Sequence, residues 1–201
     1  MSCRILAAIV VSGLCAFSCA ADEPFIDNPS FEADVFKAYP GLAHVNGGKI
    51  SDWQFTGQVG VNPIWAGAPN RKGPQRPFVD NGTTPHGRQV ALMQNMCTLS
   101  QTVTGLKASK RYQVTYFENA RHMRRSKVPP RLVVMVNGEI VVSEHDVRCV
   151  DAPDRFTLPY DFVESISFAA PETGSADLVF KTTIDSGVTV LIDQVTIQGL
   201  R

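Results

Sequence analysis

The stretch Arg131-Leu132-Val133-Val134-Met135-Val136-Asn137-Gly138-Glu139-Ile140-Val141-Val142 decides the fold class. Two runs rich in β-branched residues flank an Asn-Gly pair. Both central positions of the tightest hairpin turn need positive φ, which Asn and Gly reach at least cost, so the stretch predicts an antiparallel hairpin. Outward from it, period-two alternation continues. Arg111-Tyr112-Gln113-Val114-Thr115-Tyr116-Phe117 and Glu164-Ser165-Ile166-Ser167-Phe168 each place alternate side chains on opposite faces. Further strands are expected at Gln89–Gln94, Leu99–Thr104, Ala176–Thr183 and Val188–Gln198. No segment carries a long helical stripe, and Gly and Pro recur at short intervals. About eight to ten short strands joined by turns predict an all-β, two-sheet antiparallel β-sandwich.

Tyr39 to Pro85 breaks this pattern. It is rich in Gly, Pro and Asn and holds both tryptophans, Trp53 and Trp65, so it is expected to form ordered loops on a rigid scaffold.

The chain starts with Arg4, an apolar run from Ile5 to Phe17, and small residues up to Ala20. That layout reads as a secretory signal peptide over residues 1–20, its apolar core too short to span a bilayer, followed by one sandwich domain over 21–201. Localisation is then secreted or periplasmic. Lipidation at Cys19 is the alternative, and Ala16 and Phe17 fit it poorly. With the leader removed, Cys97 and Cys149 remain. In an oxidising compartment they are expected to form one disulfide, closing a loop of about 50 residues and contributing roughly 3–4 kcal/mol.

Acidic and basic residues balance at nineteen each, and the basic ones cluster at Arg121, Arg124, Arg125 and Lys127 alone. A nucleic-acid partner is excluded on that basis, because phosphate neutralisation requires a broad basic stripe. His44, His86, His122 and His145 show no metal-ligand spacing, and the chain has no Gly-x-Ser-x-Gly elbow, Walker loop or dinucleotide fingerprint.

Asn28-Pro29-Ser30-Phe31-Glu32, Ile50-Ser51-Asp52-Trp53, Leu99-Ser100-Gln101-Thr102-Val103-Thr104-Gly105-Leu106 with Tyr112-Gln113-Val114-Thr115-Tyr116, and Leu191-Ile192-Asp193-Gln194-Val195-Thr196-Ile197 occur in this order along the chain. Together they resemble the galactose-binding-domain-like jelly roll shared by several families of carbohydrate-binding modules. The resemblance implies a structural calcium where the first and last strands meet. Glu32 and Asp193 would supply carboxylates, and oxygens near Asn28 and Ser30 and in the Asn46-Gly47-Gly48 loop would complete a hard-oxygen shell. Asp193-Gln194 departs from the family's usual second Asp. The alternative is that Glu32 and Asp193 bond neighbouring backbone.

Alternation on the Tyr112 strand groups Tyr112, Val114 and Tyr116 toward the core, and Thr115, Phe117, Asn119 and Arg121 on the other face. Sugar recognition needs planar hydrogen-bonding groups beside an aromatic plane. Gln94, Asn119 and Arg121 are candidates for the first, and Trp65 and Phe117, with Trp53, for the second. Asp80 and Asn81 are candidates for display beside the sheet. The competing readings make Trp53 a core plug and pair Arg121 with Glu118 or Asp80. The expected function is a secreted, monomeric, non-catalytic protein that binds a polysaccharide or glycan. The alternatives are an envelope protein that binds another protein and a small secreted hydrolase.

Overall fold

A computed structural model describes residues 24–38, 40–63, 83–121, 128–150 and 156–201. The signal-peptide segment, Trp65, Asp80 and Asn81 lie outside them. Among the described residues the chain is all-β, with one 3-10 turn at Ala43–Val45. The strands are β1 (Gln54–Pro63), β2 (Gln89–Val103), β3 (Arg111–Ala120), β4 (Arg131–Val136), β5 (Glu139–Asp146), β6 (Asp161–Glu164), β7 (Phe168–Ala169), β8 (Ala176–Thr182) and β9 (Thr189–Gly199). Every pairing is antiparallel, in the order β5-β4-β8-β2-β9-β3-β6, with β1 on β2 and β7 on β3.

Strand β2 belongs to both layers of the sandwich. Its first half, Ala91 to Gln94, pairs with β9, and its second half, Cys97 to Val103, pairs with β8. Between the halves Asn95 has φ 59°, and β1 follows the bend through Gly57 at φ 75°. A Cβ on Gly57 would lie 2.8 Å from Cys97 Cβ, so the bulge demands glycine twice over, for conformation and for space. The Asn137-Gly138 turn is as expected, with φ of 50° and 81° and Val136 opposite Glu139.

One apolar cluster fills the space between the layers, and Tyr112, Val114 and Tyr116 face it as alternation predicts. Its aromatic centre joins Phe31 to Trp53 at 5.2 Å, Trp53 to Phe180 at 6.3 Å and Tyr116 to Phe180 at 5.1 Å. Such pairs add about 0.5–1.5 kcal/mol each beyond their buried area. Trp53 is therefore a core plug, and its Nε1 donates to Asn28 O at 3.1 Å.

Three expectations need correction. The irregular stretch after Tyr39 contains a ten-residue strand, β1. Alternation at Glu164–Phe168 predicted one strand where the chain makes two short ones, β6 and β7. Ser165 turns the chain there: its Oγ accepts from Val114 N and donates to Ile166 O, and Ile166 N then donates to Val141 O in the opposite layer. Finally, Cys97 and Cys149 are not joined by a disulfide. Cys97 is buried with Sγ 3.1 Å from Thr182 Oγ1 on β8. Cys149 sits in the segment that Asn119 and Ala120 hold against β3, in the other layer.

Candidate functional site

On the first half of β2, Ala91 and Met93 enter the core, which sends Val90, Leu92 and Gln94 to the outer face of the β1–β2–β9–β3–β6 layer. Register then sets their neighbours. Leu92 lies opposite Leu191, Leu191 opposite Asn119, and Phe117 opposite Phe162. Val90, Leu92, Leu191 and Tyr160 form a second apolar cluster, with Leu42 and Phe117 packed against it. Phe117 and Phe162 meet with ring centroids 5.1 Å apart, and Phe162 is 54% exposed. An exposed ring at the end of a buried apolar cluster is thus a feature of this face.

Arg121 crosses the same face. It leaves the end of β3, where its backbone N donates to Thr189 O, and its Nη2 donates to Asn62 Oδ1 at 2.6 Å. Asn62 stands on β1, so the bond spans β9 and β2. The Asn62 amide is itself aimed by its Nδ2, which donates to Pro40 O.

Asn119 shares the face and has a different role. It is fully buried; its Oδ1 accepts from Ala120 N and Val150 N, and its Nδ2 donates to Val150 O. This amide is spent on backbone and leaves nothing for a ligand. Gln94 is half-buried in the row Gln58–Gln94–Thr189.

The corner where the N-terminal segment meets β9 brings Glu32 and Asp193 together. Asp193 is fully buried. Its Oδ2 accepts from His86 N at 2.9 Å and its Oδ1 from Gln194 N at 2.7 Å, and the Ser30 hydroxyl also bonds it. Glu32 Oε1 accepts from Arg88 N at 2.7 Å and Gln89 N at 2.8 Å. Gly87, at φ 66°, permits this: a Cβ there would lie 2.4 Å from Glu32 Oε1. Burial pushes the Asp193 carboxyl up to about 8, against the pull of the two backbone N–H groups, and Glu32 pushes it further. A buried carboxylate beside an exposed one, with hydroxyl and carbonyl oxygens nearby, suits a hard divalent cation in both charge and donor type. Among the described residues no group of three or more His, Cys, Asp or Glu forms a metal cluster. A cation here would therefore rest on two carboxylates plus neutral oxygens. Asn28 is already engaged, its Nδ2 with Ser51 O, its Oδ1 with Ala33 N and its carbonyl with Trp53 Nε1. Asn46 ties Lys37 and Ala38 to Leu42.

Residues 22–173 match the model of the HpiC1-like family, described as HpiC1 cyclase. The chain belongs to the HpiC1-like family.

No curated protein matches the chain significantly. Among solved structures, this HpiC1-like chain is similar to TmCBM61 in complex with β-1,4-galactotriose, at 16% identity and TM-score 0.55, with 89% of this chain and 100% of that one covered. It is also similar to a family 35 carbohydrate binding module from Clostridium thermocellum, at 12% identity and TM-score 0.48, covering 74% of this chain and 93% of the module. The likeness to TmCBM61 shows that the HpiC1-like chain has the β-sandwich fold of the carbohydrate-binding-module type.

Of the sequence-derived ligand candidates, the outer face brings together Phe117, Arg121 and, at its margin, Gln94. It removes Asn119 from the set, and Trp65, Asp80 and Asn81 lie outside the described residues. Sequence reading missed Asn62, Tyr160 and Phe162. Asp161-Phe162-Val163-Glu164 is too short for alternation to show which side chain faces the layer. Arg121 pairs with Asn62 instead of Glu118, which bonds His145. Among the described residues no helix is long and apolar enough to cross a membrane.

Proposed function

We propose that the chain is a secreted, non-catalytic protein that binds a saccharide on the outer face of the β1–β2–β9–β3–β6 layer, with calcium as a structural ion. The observation that carries the reading is the placement of the Phe117–Phe162 ring pair on the same face as the Arg121–Asn62 bridge. A pyranose has a C–H face that packs on aromatic rings and hydroxyls that accept from a guanidinium, and this face offers ring and guanidinium together. Glu32, Asp193 and Ser30 would hold the ion, which when bound would neutralise the buried Asp193 carboxylate and fasten the N-terminal segment to β9.

The test is a glycan array with the purified mature protein, with and without chelator, followed by affinity measurements on variants. Phe162 is exposed, so Phe162→Ala should leave the fold intact and weaken binding about tenfold, the scale of about 1–1.5 kcal/mol for a lost ring contact. Arg121→Ala should cost a charge-assisted bond, about 1.5–3 kcal/mol, a tenfold or greater loss. Binding to no glycan, or binding that both variants leave unchanged, removes the reading.

Membership of the HpiC1-like family favours a second reading, in which the same face holds the apolar part of a substrate while it cyclises. Val90, Leu92 and Leu191 are buried, so hydrocarbon would meet the exposed Phe162 ring of this face. A silent array together with thermal stabilisation by small apolar ring compounds would select this reading.

A further inference from the structure

Glu118 faces inward from β3 and is 5% exposed. Its Oε1 lies 2.9 Å from Nε2 of His145 on β5, and His145 Nδ1 lies 2.9 Å from Ser143 O. A carbonyl and a carboxylate can only accept, so both ring nitrogens donate, and imidazolium is the form that can do this. The neighbouring charges are already matched. Asp161, in register with Glu118 on β6, is held by Arg148, and Asp146, beside His145, is held by Arg131, which also reaches Glu144. Ile192, opposite Glu118 on β9, carries no charge. Tyr116 stands two residues before Glu118 on the same inward face; burial pushes its hydroxyl far above the usual range, so it stays protonated. Tyr116 Oη and Glu118 Oε2 are both buried, and Glu118 acts on the Tyr116 hydroxyl through its charge and a side-chain hydrogen bond. Among the described residues, His145 is thus the cation set against a buried carboxylate.

We propose that Glu118 and His145 form a proton-operated clasp that locks β5, and the segment from Val147 to Val150, onto β3 across the two layers, and that it releases in alkaline solution. The other ties on this side, Ala120 N to Arg148 O, Ile166 N to Val141 O and the Asn119 bonds to Val150, involve groups that do not titrate. The Arg148–Asp161 pair also ties this segment to β6, but a guanidinium and a carboxylate ordinarily titrate far from the imidazole range, so among the described residues the clasp is the tie that responds to pH there. Loss of the imidazolium proton leaves one ring hydrogen for two acceptors, and it leaves the Glu118 charge buried without a counter-charge.

The hydrogen bond to Glu118, opposed by burial, raises His145 to about 8 from the ordinary 6.5. A raised imidazole contributes its full stability below the unfolded value and loses it as pH rises through the folded one. The window is therefore pH 6.5 to somewhat above 8. His145 is part-exposed, which screens the pair and reduces the effect.

The experiment is a set of thermal melts of the full mature chain between pH 6 and 9.5, in calcium throughout, for the natural protein, Glu118→Gln and His145→Gln. In parallel, the His145 Cε1 resonance is titrated. The natural protein should lose about 2–4 °C across the window relative to both variants, the shift typical of a modest local loss in a domain of this size. The His145 resonance should titrate well above the ordinary imidazole midpoint of about 6.5 and return toward it in Glu118→Gln. Equal losses in the natural protein and Glu118→Gln, or a His145 midpoint near 6.5 in the natural protein, would overturn the clasp. Should Glu118→Gln fail to fold, the titration of the natural protein decides alone.

Discussion

Asn119→Ala separates a structural amide from a ligand contact on one strand. In the structure Asn119 Oδ1 and Nδ2 hold Val150 N at 2.8 Å and Val150 O at 3.1 Å, and Oδ1 also takes Ala120 N at 2.9 Å. The Ala120 amide keeps its bond to Arg148 O. The change therefore strips two backbone groups of Val150 and empties the space of an amide that is fully buried. Each lost bond costs about 1–1.5 kcal/mol; water at the half-buried Val150 recovers part of it and the cavity left by the amide offsets that, so the total is about 2–3 kcal/mol. For a domain of roughly 180 residues this lowers Tm by about 5–10 °C. A circular-dichroism melt of the mature protein reads the stability, and amide hydrogen exchange at Val150 reads the local opening, which should accelerate. An unchanged melt combined with lost ligand binding would refute the assignment and return Asn119 to the binding surface.

Two other outcomes are expected. In chelator the folded chain keeps the Asp193 proton, held up to about 8, which the unfolded chain gives up near 3.8, so stability should fall as pH rises between those values. Below the His145 window, calcium should flatten the slope and Asp193→Asn should abolish it; equal melting temperatures at pH 4.5 and 6, in calcium and in chelator, would remove the cation from this corner. The mature protein, unfolded without reductant, should take up two alkyl groups, and folded it should take up one, at exposed Cys149, because burial shields the Cys97 thiol and raises its pKa. Intact mass decides, and no alkylation of the unfolded chain would restore the disulfide.

Local signals in the sequence carried the fold a long way, because turn chemistry and alternation depend on neighbouring residues. The Asn137-Gly138 hairpin and the inward set Tyr112, Val114 and Tyr116 are of this kind. The meeting of Glu32 with Asp193 was legible through the resemblance of the chain's two ends to a known family. What failed was non-local. Strand β1 holds Gly57 and Gly60 and reads as a loop, yet β2 pairs with it along its length. Its glycines sit where Cys97 and Gly41 crowd it, with a Cβ on Gly60 placed 2.0 Å from Gly41 O. The bend of β2 at Asn95, which lets one strand serve two layers, has no signal of its own in the sequence. Cysteine pairing failed for a related reason, since an even count and an oxidising compartment say nothing about which layer each thiol occupies.

The site was harder to read than the fold, and β3 shows why. Alternation sends Phe117, Asn119 and Arg121 to one face with equal confidence, but it does not say which polar valences remain open after folding. Asn119 spends all of its hydrogen bonds described above on backbone, because the returning segment at Val150 has no strand partner there and takes the nearest amide. Arg121 is longer, crosses the layer and ends on Asn62, a side chain in place of a backbone group. A side chain can turn to meet a ligand at the cost of one rotamer, whereas Val150 can release Asn119 only if the segment itself moves. The physical distinction between a binding residue and a structural one on this strand is therefore the mobility of the partner. By that measure Arg121 and Phe162 are the residues on which a ligand on this face would depend, while Asn62, buried and held to Pro40 O, aims the guanidinium.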